Sequence, residues 1–135
     1  MKFMLTLVVG GSALALGAAQ LRDGPTVDAQ PNQQATVRCP TGVNPASVTP
    51  DTIRVPLGGS IDWRMQGPVT SDSIIISPKD PDQAWPFAGT PSRGGSSARA
   101  SNAQRRGQYS YNVDLLCRIN GVVTPVRIDP DIIIE

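Results

Sequence analysis

The chain of 135 residues contains no histidine. That absence removes the usual general base beside a nucleophilic serine and the commonest ligand for zinc and copper. Lysine offers little in exchange. Lys79 is the only one beyond Lys2, and it follows Pro78 in a loop where its ammonium would not be desolvated into a base. Catalysis is therefore not expected. There are only two each of tryptophan, tyrosine and phenylalanine, which argues against a platform for stacking unpaired bases. No charge of one sign dominates: setting Lys2 aside leaves 11 basic against 11 acidic residues (12 Lys+Arg less one, and 11 Asp+Glu). So neither nucleic acid nor an anionic membrane is an expected partner. The one long apolar run, Phe3 to Leu16, is short for a bilayer span and has no basic cluster after it.

That run reads instead as an export signal. Lys2 supplies the positive start, and Gly17-Ala18-Ala19 supplies small residues for cleavage. The expected organisation is a signal peptide over 1–19, a flexible leader over 20–33 and one domain over 34–135. A retained anchor is the alternative to cleavage. No cysteine lies near the cleavage point, so a lipoprotein anchor is not expected. The expected location is secreted or periplasmic, and the expected state is a monomer with no membrane attachment after cleavage. In an oxidising compartment Cys39 and Cys117 are most simply a disulfide. Two buried free thiols are the alternative.

Glycine and proline are abundant, 13 of each, and they punctuate short alternating segments. Ala35, Val37 and Cys39 share one face. So do Ile53, Val55 and Leu57, then Ile61, Trp63 and Met65, with Asp62 and Arg64 opposite. Pro56 places its strand at an edge or ends it. The Ile74-Ile75-Ile76 run suggests a strand buried on both faces or a sheet crossover. Residues 78–97 read as loop, and 98–106 as one weak strand. From Tyr109 the odd positions face inward as far as Cys117, and Asn120-Gly121 is the strongest hairpin signal. The pattern predicts an all-β fold: an antiparallel two-sheet Greek-key β-sandwich of about seven strands.

Two stretches carry a family resemblance. Val48-Thr49-Pro50-Asp51-Thr52-Ile53-Arg54-Val55 with Gly58-Gly59-Ser60-Ile61-Asp62-Trp63 resembles the early strands of cupredoxins, and Gly107-Gln108-Tyr109-Ser110-Tyr111 resembles their glycine–tyrosine–tyrosine strand. The resemblance extends over about residues 35 to 135 and implies a cupredoxin-like domain. Blue-copper members use two histidines, a cysteine and usually a methionine. Here the positions matching the first histidine, Arg64 to Thr70, hold none, the cysteine position is Val113, and the second histidine position is near Leu116. The resemblance thus implies the fold without copper or any other cofactor. The ending, Arg127 to Glu135, is similar to that of copper-free cupredoxin-like domains.

Function is then expected to lie in contact with an unknown protein or small ligand of the cell envelope, through loops at one end of the sandwich. Trp85 and Phe87, flanking Pro86, form either an aromatic patch for a partner or a plug for the open end of the sandwich. Arg93, Arg99, Arg105 and Arg106 lie in a stretch without acids and suit a carboxylate or phosphate, or else form a solvated loop. Asp62 and Arg64 read as a surface charge ladder with Arg54. Asp80 and Asp82 read as a solvated turn, since calcium needs more oxygens. The alternative function is a redox or metal-binding protein with altered ligands, which requires Cys39 and Cys117 to be free thiols or to exchange reversibly.

Overall fold

A sheet with one apolar face is stable only when that face packs against another. The computed structural model describes residues 31–135, so the expected signal segment and nearly all of the leader lie outside the described residues. The alternating segments form eleven strands. They are β1 (Asn32–Arg38), β2 (Ser47–Thr49), β3 (Thr52–Val55), β4 (Ser60–Met65), β5 (Ser71–Pro78), β6 (Phe87–Ala88), β7 (Arg93–Gly94), β8 (Ser97–Ala103), β9 (Gly107–Ile119), β10 (Val122–Ile128) and β11 (Asp131–Ile134). Asn32 and Gln33, expected in the leader, already belong to β1 and pair with Ser60 and Ile61.

Five strands form one sheet in the order β2-β1-β4-β8-β6. The other six form the second, in the order β3-β11-β9-β5-β7 with β10 also on β9. The strand number exceeds the seven expected for identifiable reasons. The proline-rich stretch contributes the two-residue strands β6 and β7. Pro130 interrupts the last strand, so β10 and β11 lie along the same side of β9 as separate pieces.

The sheets are also not purely antiparallel: β1 pairs with β4, and β11 with β3, in parallel. Parallel neighbours need a crossover connection. Between β1 and β4 the strands β2 and β3 supply it, and Gly58, with φ of 80°, and Gly59 carry the chain back from the second sheet to the first. A Cβ at Gly59 would lie 2.8 Å from the Pro31 carbonyl oxygen. That crossover turns Leu57, expected to face inward, out to solvent.

The core joins the inner faces. Tyr111, Val113, Leu115 and Cys117 of β9 are all buried, as are Ile74 and Ile76 of β5. Ile75 faces the opposite side and is half-buried, so β5 is covered on one face rather than two. Opposite them stand Ala35, Val37, Ile61 and Trp63. Cys39 and Cys117 form a disulfide with Cα atoms 5.9 Å apart, joining the end of β1 to β9 across the two sheets. Trp63 donates its indole N–H to the Tyr111 hydroxyl at 3.0 Å, also between sheets. Asn120 and Gly121 both take positive φ, 51° and 77°, as a tight hairpin turn between β9 and β10 demands.

Among the described strands β10 pairs with β9 alone, and its other edge is open. The Leu116 amide donates to Ser71 Oγ at 3.0 Å and the Arg118 amide to the Thr70 carbonyl at 2.8 Å, so both point toward β5. Pro125 faces Leu116 in the β9–β10 register. It therefore occupies a pair that exchanges no ladder bonds, and its nitrogen lies on the open edge. A residue with no N–H at that position obstructs the addition of a further strand. Pro125→Thr restores that donor. It is expected to raise concentration-dependent self-association in sedimentation velocity while changing stability by only about 0.5 kcal/mol. A variant no more associated than the parent would show that Pro125 does not guard the edge.

Candidate functional site

The outer face of the five-stranded sheet is set by strand alternation. In β4, Ile61 and Trp63 point into the core, so Asp62 and Arg64 point out. The β4–β8 register puts Asp62 opposite Arg99 and Arg64 opposite Ser97. Arg93 reaches the same place by a different route. It lies on β7, which pairs with β5 of the other sheet, yet the chain turns straight back into β8. Gly94 makes this return possible, since a Cβ there would sit 1.6 Å from the Ser97 carbonyl oxygen.

The returning segment is tied to both sheets. Ser92 accepts the Arg99 amide on its Oγ at 2.9 Å and the Ile76 amide on its carbonyl at 2.8 Å. The Ser96 carbonyl accepts the Met65 amide at 2.8 Å. Arg64, Arg93 and Arg99 consequently line one open groove of about 570 Å³, together with Ser92, Ser96 and Ser97. A second groove of about 630 Å³ shares Arg93 and Arg99 and runs to Ser77 and Thr90.

Arg99 is held in place. Its Nη1 lies 3.6 Å from Asp62 Oδ2, its Nε donates to Ser101 Oγ at 3.2 Å, and its Nη2 donates to Ser60 Oγ at 3.3 Å. Ser60 in turn donates to Asn32 Oδ1 at 2.6 Å. Arg64 and Arg93 have no carboxylate partner among the described residues. The groove thus combines an oriented guanidinium paired with Asp62, two more without a carboxylate partner among the described residues, and several hydroxyls. This set is suited to a carboxylate, sulfate or phosphate.

The opposite sheet carries two bidentate ion pairs on its surface. Arg118 binds Asp72 through two bonds of 2.8 Å, and Arg127 binds Asp114 at 2.7 and 3.2 Å. The hydrogen bond from Arg118 holds the Asp72 carboxyl below its ordinary value. The hydrogen bonds to Asp72 and Asp114 correspondingly raise the two guanidiniums.

The expected surface is divided by the fold. Arg93 and Arg99 come together, whereas Arg105 and Arg106 follow the far end of β8, where their carbonyls accept the Tyr109 hydroxyl at 3.2 Å. Phe87 is 2% exposed and cannot present itself to a partner. Its ring lies 5.5 Å from that of Trp85, which is half-buried against the core with its indole nitrogen lacking an acceptor. Phe87 thus fills the sandwich, while Trp85 packs on it and stays half-buried. Nor do Asp62 and Arg64 form a ladder with Arg54. Arg54 lies on β3 in the other sheet and pairs with Glu135. Nothing local in the sequence brings Arg64 to Arg93, because their proximity arises from the return at Gly94. Asp80 spends its carboxylate on the Asp82 amide at 2.9 Å, closing its own turn. Among the described residues no three His, Cys, Asp or Glu side chains cluster as metal ligands.

Neither the protein-family models nor the curated proteins contain a match to this chain. The chemistry of the groove is thus the ground for a functional reading.

Proposed function

We propose that the protein is an exported, secreted or periplasmic module of copper-free, cupredoxin-like Greek-key type that works as a monomer by binding, without catalysis. The anionic group of its ligand or partner sits in the groove of Arg64, Arg93 and Arg99. The observation that carries this reading is the convergence of Arg93, Arg99 and Arg64, from three strands and both sheets, on one open groove. The contact surface lies along β4 and β8, beside the return at Gly94, and not in loops at one end. The donor inventory supports the copper-free part. The chain has no histidine, its only cysteines are joined to each other, and Met65 is the sole methionine after Met4. The same disulfide occupies the two thiols that metal ligation would need.

Nuclear magnetic resonance titration of the mature protein with inorganic phosphate, sulfate and citrate tests the groove. Amide shifts are expected in 62–65 and 92–99, and the double variant Arg64→Ala/Arg93→Ala should lose them with its fold intact by circular dichroism. Shifts scattered over the surface, or unchanged in that variant, would remove the groove as the binding site.

A further inference from the structure

The register of the five-stranded sheet extends the positive charge well beyond the groove. Arg38 is opposite Ser47 on the outer face of β1, and Thr36, two residues earlier, is opposite Arg64 of β4. Arg64 is opposite Ser97 of β8, and Arg99 lies two residues further along that strand. Arg38, Arg64 and Arg99 therefore form a diagonal line crossing β1, β4 and β8. Each step spans one strand spacing and two residues, about 8 Å, so the line is about 16 Å long. Arg93 prolongs it where it joins Arg99 in the groove.

Thr36, Thr49 and Ser97 stand in the same row as Arg64, and Gln34 in the row of Asp62 and Arg99. Among the described residues of β1, β2, β4 and β8, Asp62 is the one acid, and it is engaged by Arg99. The exposed large apolar residues, Val43, Leu57, Leu116, Val122 and Val123, all lie outside β1, β4 and β8. Among the described residues, Met65 is the one large apolar side chain lining the groove, and the aromatic anchors common at the centre of a protein interface are missing from this face. So are the aromatics on which bases of single-stranded nucleic acid stack.

We infer that this face binds a linear acidic polysaccharide, laid diagonally across β1, β4 and β8. Its carboxylates or sulfates meet Arg38, Arg64 and Arg99, and its hydroxyls meet the threonine, serine and glutamine side chains between them. This deepens the reading of the groove as the binding site and rests on it. A small anion fills the groove alone, whereas a chain long enough to span the line also reaches Arg38.

The test is calorimetric titration of the mature protein with oligogalacturonates of graded length, from the monomer to a chain longer than the line. Heparin oligosaccharides of matching length separate sulfate from carboxylate preference, and polyglutamate serves as the peptide comparator. Affinity is expected to rise with length until the line is spanned and to fall with added salt. Arg38→Ala should weaken the long chains about threefold and leave the monomer unchanged, while Arg64→Ala should weaken both. If Arg38→Ala changes nothing at any length while Arg64→Ala does, the site is confined to the groove and the polymer reading is overturned. Equal binding of polyglutamate would overturn it in favour of an acidic peptide. If neither variant alters binding of any probe, the groove itself is rejected along with the line. Melting temperatures of the variants exclude unfolding as the cause of a loss, since both side chains are exposed.

Discussion

Replacing Cys39 and Cys117 together by alanine is expected to lower the unfolding free energy by about 4 kcal/mol. The bridge spans 78 residues of sequence. Closing so long a loop restricts the unfolded chain strongly, by roughly 4–5 kcal/mol on the chain-entropy account. Both cysteines are buried, so alanine also leaves a gap between the sheets. Small domains are stable by only about 5–15 kcal/mol in total. The variant is thus expected to be marginal at physiological temperature. Urea unfolding of the parent and the double variant measures the difference. A loss below about 1 kcal/mol would mean that the unfolded chain is not appreciably restrained by the bridge. The bridge also anchors the end of β1, where Arg38 immediately precedes Cys39.

Trp63→Ala is expected to cost about 4 kcal/mol, within the range for large aromatic truncations in a core. Trp63 is fully buried, and its ring centroid lies 5.7 Å from that of Tyr111 at an interplanar angle of 59°. Tyr111→Phe is the subtler change. It preserves the packing but removes the acceptor of the Trp63 indole N–H, at a cost of about 1–3 kcal/mol. The same pair makes stability pH-dependent. Burial pushes the Tyr111 hydroxyl far above its ordinary value of 10, opposed by the hydrogen bond from Trp63. Above about pH 10 the unfolded chain releases this proton while the folded chain keeps it, so stability present below that pH declines as the pH rises. Urea midpoints measured across this range should fall in the parent, and Tyr111→Phe should remove this group's share of the slope. Parallel profiles would exclude Tyr111 as the source.

Much of the fold follows from local patterns. The alternation of Ala35, Val37 and Cys39, of Ile61 and Trp63, and of Tyr111 to Cys117 determines which side chains face inward. Asn120-Gly121 determines the last hairpin. Each depends only on residues a few positions apart. Pairing partners depend on residues far apart, so the parallel pairing of β1 with β4 and of β11 with β3 had no local signature. Phe87 illustrates the same limit. An aromatic in a proline-rich stretch reads as a plug or as a patch, and only its pairing with Ala103 on β8 places it inside.

The candidate site divides along the same line. Composition alone removed histidine chemistry, and an acid-free stretch marked Arg93 and Arg99. The sequence by itself thus determined the all-β class, most of the inward faces and the absence of histidine chemistry, because composition and period-two alternation are properties of the chain before it folds. Only the tertiary structure decided that Arg64 joins Arg93 and Arg99 and that Arg105, Arg106 and Phe87 do not. Those memberships depend on strand register and on the close return at Gly94, which are interactions between segments distant in the chain.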